Sequence, residues 1–142
     1  MRRTLVLVLA MGLLLGACSK KGETETAGSE TSAGGGCGPV PSALATVPSV
    51  AAAFPGPSDI VVTDVSPAGP STIVTGVVND DLEGVYGDYK SALSTGGYTV
   101  TSSEKEEDDA EVNFSGNSTT GQVKLTVPCE GRTDVSITIR PA

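Results

Sequence analysis

The sequence DDLEGVYGDYKSALSTGG, at residues 80–97, places an apolar side chain at every third or fourth position. This spacing predicts an amphipathic helix with one buried stripe. Asp80, followed three residues later by Glu83, predicts a capping box at the start, and Gly96-Gly97 predicts the end. Two internal glycines each weaken a helix by about 1 kcal/mol relative to alanine, so this helix must depend on packing. The stripe consists of Leu82, Val85, Tyr86, Tyr89, Ala92 and Leu93.

Four segments that follow the helix alternate between apolar and polar residues. A period of two is typical of antiparallel strands with one buried face and one face in water. Glycine-containing segments at 116–121 and 130–132 are expected to connect these strands as hairpins. The predicted strands lie at Tyr98–Val100, Ala110–Ser115, Val123–Val127 and Val135–Arg140.

Two runs of β-branched residues precede the helix, at Ile60–Val62 and Thr72–Val78. The sequence SPAGPS between them predicts a turn. A single helix packed on the apolar face of all these strands would bury the apolar side of every predicted element. We therefore predict a globular α+β domain at residues 59–142, in which one main helix packs on a four- to six-stranded antiparallel sheet.

The composition narrows the range of partners. The chain has 142 residues, which gives room for one domain, and a formal net charge of −8. This charge argues against a nucleic-acid partner, because phosphate binding needs clustered Lys and Arg. It also provides no attraction to anionic lipid headgroups. The chain contains no His, so the commonest general base and the commonest transition-metal ligand are missing.

The first 17 residues have the three-part pattern of an export signal. Basic Met1-Arg2-Arg3 precedes the apolar run Thr4–Leu15, and the small residues Gly16-Ala17 follow. The run is too short to span a bilayer, which takes about 20 residues. We therefore predict a signal peptide at residues 1–17 rather than a membrane span or a buried core helix.

Leu15-Gly16-Ala17-Cys18 resembles the lipobox of bacterial lipoproteins at all four positions. The resemblance implies cleavage before Cys18, a diacylglyceryl thioether on its sulfur and, in many bacteria, an acylated amine. Two or three acyl chains, at about 0.8 kcal/mol per buried CH₂, make a lasting anchor. It further implies a location in the cell envelope, on the inner or outer membrane, with the domain outside the cytoplasm. Ordinary secretion with a free or disulfide-bonded thiol is the alternative.

Residues 18–58 are expected to form the lipidated cysteine and a flexible tether rich in Gly, Ser, Thr and Pro. Ser19–Gly36 contains no large apolar residue, so it cannot bury enough surface to offset the entropy of ordering. As a flexible coil it would reach about 23 Å. The sequence also predicts a short helix near Ser49–Phe54, ended by Pro55.

Cys37 and Cys129 remain as an even pair in an oxidising compartment. An intramolecular disulfide is the simplest interpretation, and it would pin the end of the tether onto the domain. Free thiols and an intermolecular bridge are the alternatives. A redox role would need a C-x-x-C spacing, and two cysteines without His make a poor zinc site.

Tyr89, Leu93, Gly97 and Tyr98 carry a loose resemblance to a domain of uncharacterised bacterial lipoproteins, in which an aromatic-rich helix end lies on a curled sheet. The domain is also similar to the helix-grip domains of outer-membrane assembly lipoproteins. Tyrosine, leucine and glycine at such positions form the core and the turns of a domain. The resemblance therefore implies a fold rather than a function.

Acidic residues are the remaining candidates for chemistry. Glu104–Glu111 (EKEEDDAE) suggests either a Ca²⁺ site or a solvated hairpin turn, and the central glycine of an EF-hand is missing. Asp80-Asp81 stands at a helix start, where capping explains both acids. No Gly-x-Ser-x-Gly, P-loop or GxGxxG motif occurs. We predict no catalytic residue, no metal site and no cofactor.

The function expected from these observations is that of a non-enzymatic, membrane-anchored envelope lipoprotein that binds or scaffolds a protein partner. The alternative is a lipoprotein that binds a small molecule or a cation such as Ca²⁺. An apolar cavity between helix and sheet would favour the small molecule.

Overall fold

The computed structural model of the protein describes residues 36–142. The predicted signal peptide, Cys18 and the first half of the predicted tether lie outside the described residues. Within them the chain forms two helices and six strands. These are α1 (Ser49–Ala52), β1 (Val61–Ala68), β2 (Ser71–Val78), α2 (Leu82–Thr95), β3 (Thr99–Lys105), β4 (Asp109–Gly116), β5 (Thr119–Cys129) and β6 (Arg132–Pro141).

The six strands form a single sheet in the order β1-β2-β6-β5-β4-β3, and every neighbouring pair is antiparallel. β1 and β2 make one hairpin, α2 crosses over, and β3 to β6 run as a meander that returns β6 to the side of β2. The predicted α+β class, with a helix packed on an antiparallel sheet, is confirmed. The sheet has the upper number of strands in the predicted range.

The start of α2 differs from the prediction by one residue. The N-cap is Asp81, whose side chain accepts a hydrogen bond of 2.8 Å from the backbone N–H of Gly84. Asp80 instead accepts a hydrogen bond from the backbone N–H of Asp81. Glu83 forms an ion pair with Lys105 at the end of β3 rather than turning back to close a capping box. Glu83 therefore contacts Lys105 of the sheet instead of the backbone at the start of its own helix.

Alternation along the strands places the apolar side chains under α2. Leu82, Val85, Tyr89 and Leu93 are the buried residues of the helix, and Tyr86 and Ala92 lie half-buried at its margins. The helix packs on a layer of sheet residues with exposed fractions of 7% or less. This layer consists of Val74, Val78, Ala110, Val112, Phe114, Val123, Leu125, Val135, Ile137 and Ile139.

The turn between β4 and β5 is tighter than predicted. β4 ends at Gly116 and β5 begins at Thr119, so Asn117 and Ser118 alone form the turn. Both have positive φ angles, 49° and 58°. Two consecutive residues in this region are typical of the two-residue hairpin turns that match the right-handed twist of a sheet.

Residues 36–58, here called the strap, pack against the domain, although the sequence places them in a flexible tether. The strap belongs to the same compact unit as the sheet. The backbone N–H of Leu44 donates a 2.8 Å hydrogen bond to the carbonyl of Val62 at the edge strand β1. Phe54 stacks obliquely against Tyr98 and Phe114, with ring centroids 5.8 and 5.2 Å away. Residues 36–58, which were predicted to belong to a flexible tether, are therefore part of the folded structure.

Candidate functional site

Cys37 and Cys129 lie at disulfide distance, with Cα atoms 5.3 Å apart, which is consistent with the predicted bond. Cys37 is at the beginning of the strap, and Cys129 is the last residue of β5. Arg132 adds a second attachment there, because its guanidinium donates a hydrogen bond of 2.6 Å to the carbonyl of Gly38. The Cys37–Cys129 contact and the Arg132–Gly38 hydrogen bond together hold the start of the strap at the β5–β6 turn. Cys18, the predicted lipid site, lies outside the described residues.

The acidic segment Glu104–Glu111 spans the end of β3, a turn and the start of β4. Glu104 stands opposite Glu111 across the two strands, while other charged groups of the segment and its surroundings are paired elsewhere. Lys105 pairs with Glu83, and Glu111 accepts a 2.9 Å hydrogen bond from the side-chain amide of Gln122. Between residues 36 and 142, no group of three or more His, Cys, Asp or Glu side chains is arranged to hold a metal ion.

The sheet surface opposite α2, here called the open face, is not covered by either of the helices that residues 36–142 form. Polar and charged side chains stand in register across it, for example Thr75 beside Ser136 and Ser136 beside Lys124. One groove of about 390 Å³ lies over β2, β5 and β6, and Pro41 of the strap borders it. A second groove, of about 570 Å³, runs over β3 to β6. Its polar lining consists of Thr101, Ser102, Asn113, Thr120, Gln122, Thr138 and Arg140.

A cavity of about 360 Å³, here called the strap cavity, lies on the helix side of the sheet. Its floor is formed by core residues, including Val74 and Ile137. Its roof is formed by the strap, namely by Ala51, Phe54 and residues 55–58. Two half-buried residues of the β1 region, Ile60 and Val62, line one side. The walls carry no Asp, Glu, Lys or Arg.

Tyr89 projects from α2 to the wall of the strap cavity. Its side chain is fully buried, and its hydroxyl has no hydrogen-bond partner among residues 36–142. A Cβ atom at Gly56 would stand 3.3 Å from this oxygen, so the backbone of the strap at Gly56 covers the hydroxyl. Burial, and secondarily the negative charge of Asp59, raises the pKa of Tyr89 well above its usual value. The hydroxyl is therefore protonated and is a hydrogen-bond donor at neutral pH.

Comparison with protein family models, with curated protein sequences and with solved structures finds no match.

The candidate surfaces thus rest on the geometry of residues 36–142. In this part of the chain, no helix is long and apolar enough to cross a membrane. Sequence reasoning identified Tyr89 as a core residue, which is confirmed by its burial. It missed the strap cavity because the roof residues had been assigned to a flexible segment. Phe54, the one large aromatic residue in that segment, was the available signal.

Proposed function

We propose that the protein is a bacterial envelope lipoprotein, anchored through a diacylglyceryl group on Cys18, whose domain binds a protein partner without catalysing a reaction. The domain would stand outside the cytoplasm, at the inner or outer membrane. The observation that supports the binding role is the open face, since α2 covers only one side of the six strands. The lipobox at Leu15–Cys18 supports the anchor.

The anchor has a direct test. Growth with a labelled fatty acid should label the wild-type chain and should leave Cys18→Ala unlabelled and unprocessed. Cys37→Ala is the matched control, since it removes a cysteine outside the lipobox and should retain the label. Label that persists in Cys18→Ala would contradict the assignment of Cys18 as the lipid site.

The chemistry of the open face indicates the kind of partner. Hydroxyl groups such as those of Thr138 and Ser136 are half-buried, so they offer hydrogen bonds at a low cost in side-chain entropy. The chain carries a net charge of −8, and electrostatic complementarity favours a basic partner. We therefore expect a protein that presents a polar, positively charged surface.

Site-specific crosslinking in the native membrane tests this role. A photo-reactive residue at position 138, on the open face, should capture one protein, and the same residue at position 91, on the exposed side of α2, should not. Ser136→Arg introduces a bulky cation in the middle of the face and should abolish the capture. Because the attraction is electrostatic, capture should also decrease as salt increases.

Equal capture from positions 138 and 91, or capture that survives Ser136→Arg, would contradict a role for the open face. No observation favours the cation alternative, because no three acidic side chains among residues 36–142 are arranged to hold a metal ion. The small-molecule alternative is supported by a different feature, the strap cavity.

A further inference from the structure

The groove of about 390 Å³ on the open face, here called the Pro41 groove, has a mostly apolar lining. Val77 of β2, which is 5% exposed, lies at its floor, and Pro41 forms its rim on the strap side. Thr75 and Thr126 border the same space. An aliphatic group that docks here is removed from water, which is favourable.

Pro41 is held in place from both sides along the chain. On its N-terminal side, Cys37 lies at disulfide distance from Cys129 at the β5–β6 turn. On its C-terminal side, the backbone N–H of Leu44 donates a hydrogen bond to the carbonyl of Val62 in β1. Because both ends of this exposed segment are attached, the rim of the groove is formed before a partner arrives. Such preorganisation lowers the entropic cost of binding.

Asp134 of β6 provides a negative charge in the groove. In the register of the sheet it stands between Val77 of β2 and Thr126 of β5. Its neighbours Thr133 and Val135 are buried on the core side, so alternation places the Asp134 side chain on the open face. It is half-buried, and in the described part of the chain its carboxylate forms no ion pair. A cation that docks beside this carboxylate therefore gains an uncompensated charge.

Lys124 is the one basic side chain among the residues that line the groove, and its charge is directed elsewhere. Its ammonium lies 3.9 Å from the carboxylate of Glu111 in β4. Since β4 and β6 lie on opposite sides of β5, Glu111 draws the lysine away from Asp134. Of the two carboxylates, Glu111 thus has a cationic partner within the domain, whereas Asp134 is available to a cation from outside.

An arginine side chain has both features that this groove can bind. Its aliphatic stem can lie on apolar surface while the charged head remains at the water-exposed edge. Its guanidinium is planar and weakly hydrated, and it pairs with a carboxylate through two parallel hydrogen bonds. The compact ammonium of lysine is more strongly hydrated and lacks this geometry. At about 30 Å³ per heavy atom, the groove holds roughly a dozen heavy atoms, which suffices for one such side chain and its flanking backbone.

We propose that the Pro41 groove receives an arginine side chain of the protein partner, with its stem between Val77 and Pro41 and its guanidinium on Asp134. This inference rests on the proposed role of the open face in binding a basic protein, and it names the residue type that the face recognises. Arginine is among the residues that contribute most to the affinity of protein interfaces.

Two small probes of nearly equal shape test the groove. N-acetylarginine methylamide carries the guanidinium, and N-acetylcitrulline methylamide carries an uncharged ureido group in its place. The full-length chain, labelled at the valine methyl groups, is titrated with each probe in micelles of a zwitterionic detergent. The methyl signals of Val77 report binding in the groove itself. The arginine probe should shift them and should bind about three- to tenfold more tightly than the citrulline probe, as expected for one ion pair at a half-buried site.

Asp134→Asn keeps the shape of the side chain and removes its charge. The affinity for the arginine probe should fall about three- to tenfold, to the level of the citrulline probe, and the affinity for citrulline should stay the same. Asp88→Asn is the matched control. It removes the same charge from an exposed position on α2, on the other side of the sheet, and should bind both probes as the wild type does.

Pro41→Ala tests the contact with the stem. It removes part of the apolar rim and should weaken both probes about two- to fourfold, since each carries the same stem. Pro39→Ala is the matched control, because residue 39 is an exposed proline of the same strap segment that does not line the groove. It should bind both probes as the wild type does.

Crosslinking from position 138 separates this inference from the proposed function. If the wild type captures a protein and Asp134→Asn captures it equally well, the open face binds its partner without the groove, and the inference is overturned while the proposed function stands. If the wild type captures no protein, the proposed function fails, and the titrations still decide whether the groove prefers arginine.

The inference is also overturned if the arginine probe does not shift the Val77 signals, or if the citrulline probe binds as tightly as the arginine probe. Equal affinity of Asp134→Asn and Asp88→Asn for the arginine probe would exclude Asp134 as its partner.

Discussion

Phe114 in β4 stands directly opposite Gly121 in β5, and the phenylalanine ring occupies the space where a side chain at 121 would be. A Cβ atom at this glycine would lie 2.7 Å from Cζ of Phe114 and would also overlap the backbone carbonyl of Thr138. Phe114 is 1% exposed and packs edge-on against Tyr98, with ring centroids 5.4 Å apart. The absence of a side chain at Gly121 thus allows the aromatic cluster to rest on the sheet.

Gly121→Ala is expected to destabilise the domain. Since a backbone oxygen and a packed ring both block the new methyl group, β5 or Phe114 must shift, and overpacking of this kind costs about 1–3 kcal/mol. The loss is measured as a lower urea midpoint with an unchanged slope. A midpoint equal to that of the wild type would show that the close contact with Phe114 can be relieved at no cost.

Gly87→Ala should have the opposite effect. Gly87 lies on the exposed side of α2, and a Cβ atom there would meet nothing within 4 Å. Alanine is favoured over glycine in a helix by about 1 kcal/mol, so the free energy of unfolding should rise by about that amount. Gly84→Ala provides the comparison. Its Cβ would come within 3.0 Å of the Asp80 carboxylate, so the gain there should be smaller.

Local patterns were sufficient to predict α2 and the strands β4, β5 and β6. These strands have a period of two, and the helix stripe has its buried residues where its period places them, from Leu82 to Leu93. These signals are strong because one face of each element is in the core and the other is in water. The exposed strand β3 has no such stripe, and it continues to Lys105, past its predicted end at Val100. The capping residue was misassigned because Asp80 and Asp81 are chemically identical neighbours. Only the backbone geometry distinguishes them.

The strap could not be predicted from local patterns. Its contacts join residues that are distant in sequence, for example Leu44 with Val62 and Pro55 with Gly96. Only its short helix α1, at Ser49–Ala52, was predicted, near Ser49–Phe54. A segment rich in Ala, Pro and Gly carries no periodic stripe. Cys37 and Phe54 are the two residues there that could indicate a long-range attachment.

Asp81→Ala should destabilise α2 more than Asp80→Ala. The side chain of Asp81 satisfies the backbone N–H of Gly84, and loss of an N-cap costs about 1 kcal/mol. Asp80→Ala keeps the backbone carbonyl that accepts a hydrogen bond from Thr133, so its effect should be smaller. Asp81→Asn retains a capping oxygen and should remain close to the wild type. Thermal unfolding of the three variants measures the order of their stabilities. A greater loss of stability for Asp80→Ala would mean that Asp80, the residue predicted from the sequence, caps the helix.

A disulfide between Cys37 and Cys129 should stabilise the domain by joining residues 92 positions apart. Constraint of a loop of this size in the unfolded chain is worth at most about 4.6 kcal/mol, and disulfides typically contribute about 2–4 kcal/mol because strain in the folded state subtracts from that value. Urea unfolding of the wild type and of the Cys37→Ser/Cys129→Ser variant measures the difference. Intact mass is the independent check, because reduction should add two hydrogen atoms to the monomer. A mass that is the same before and after reduction would mean that the thiols are free.

Stability should fall at high pH because Tyr89 resists ionisation in the folded protein. Its pKa in an unfolded chain is about 10, and in the folded domain burial and then Asp59 raise it further. Below pH 10 the hydroxyl is protonated in both states, so its contribution to stability is fully present. As pH rises further, the unfolded chain releases the proton and the folded chain retains it. The free energy of unfolding therefore decreases by up to about 1.4 kcal/mol per pH unit.

Tyr89→Phe isolates this effect from the other groups that titrate in the same range. The difference in unfolding free energy between the wild type and the variant should be constant at neutral pH and should shift against the wild type above about pH 10. Phenolate absorbance gives a second measurement, since one tyrosine of the folded wild type should ionise only when the domain unfolds. Parallel stability curves for the two proteins across this range would mean that Tyr89 releases its proton as readily in the folded domain as in the unfolded chain.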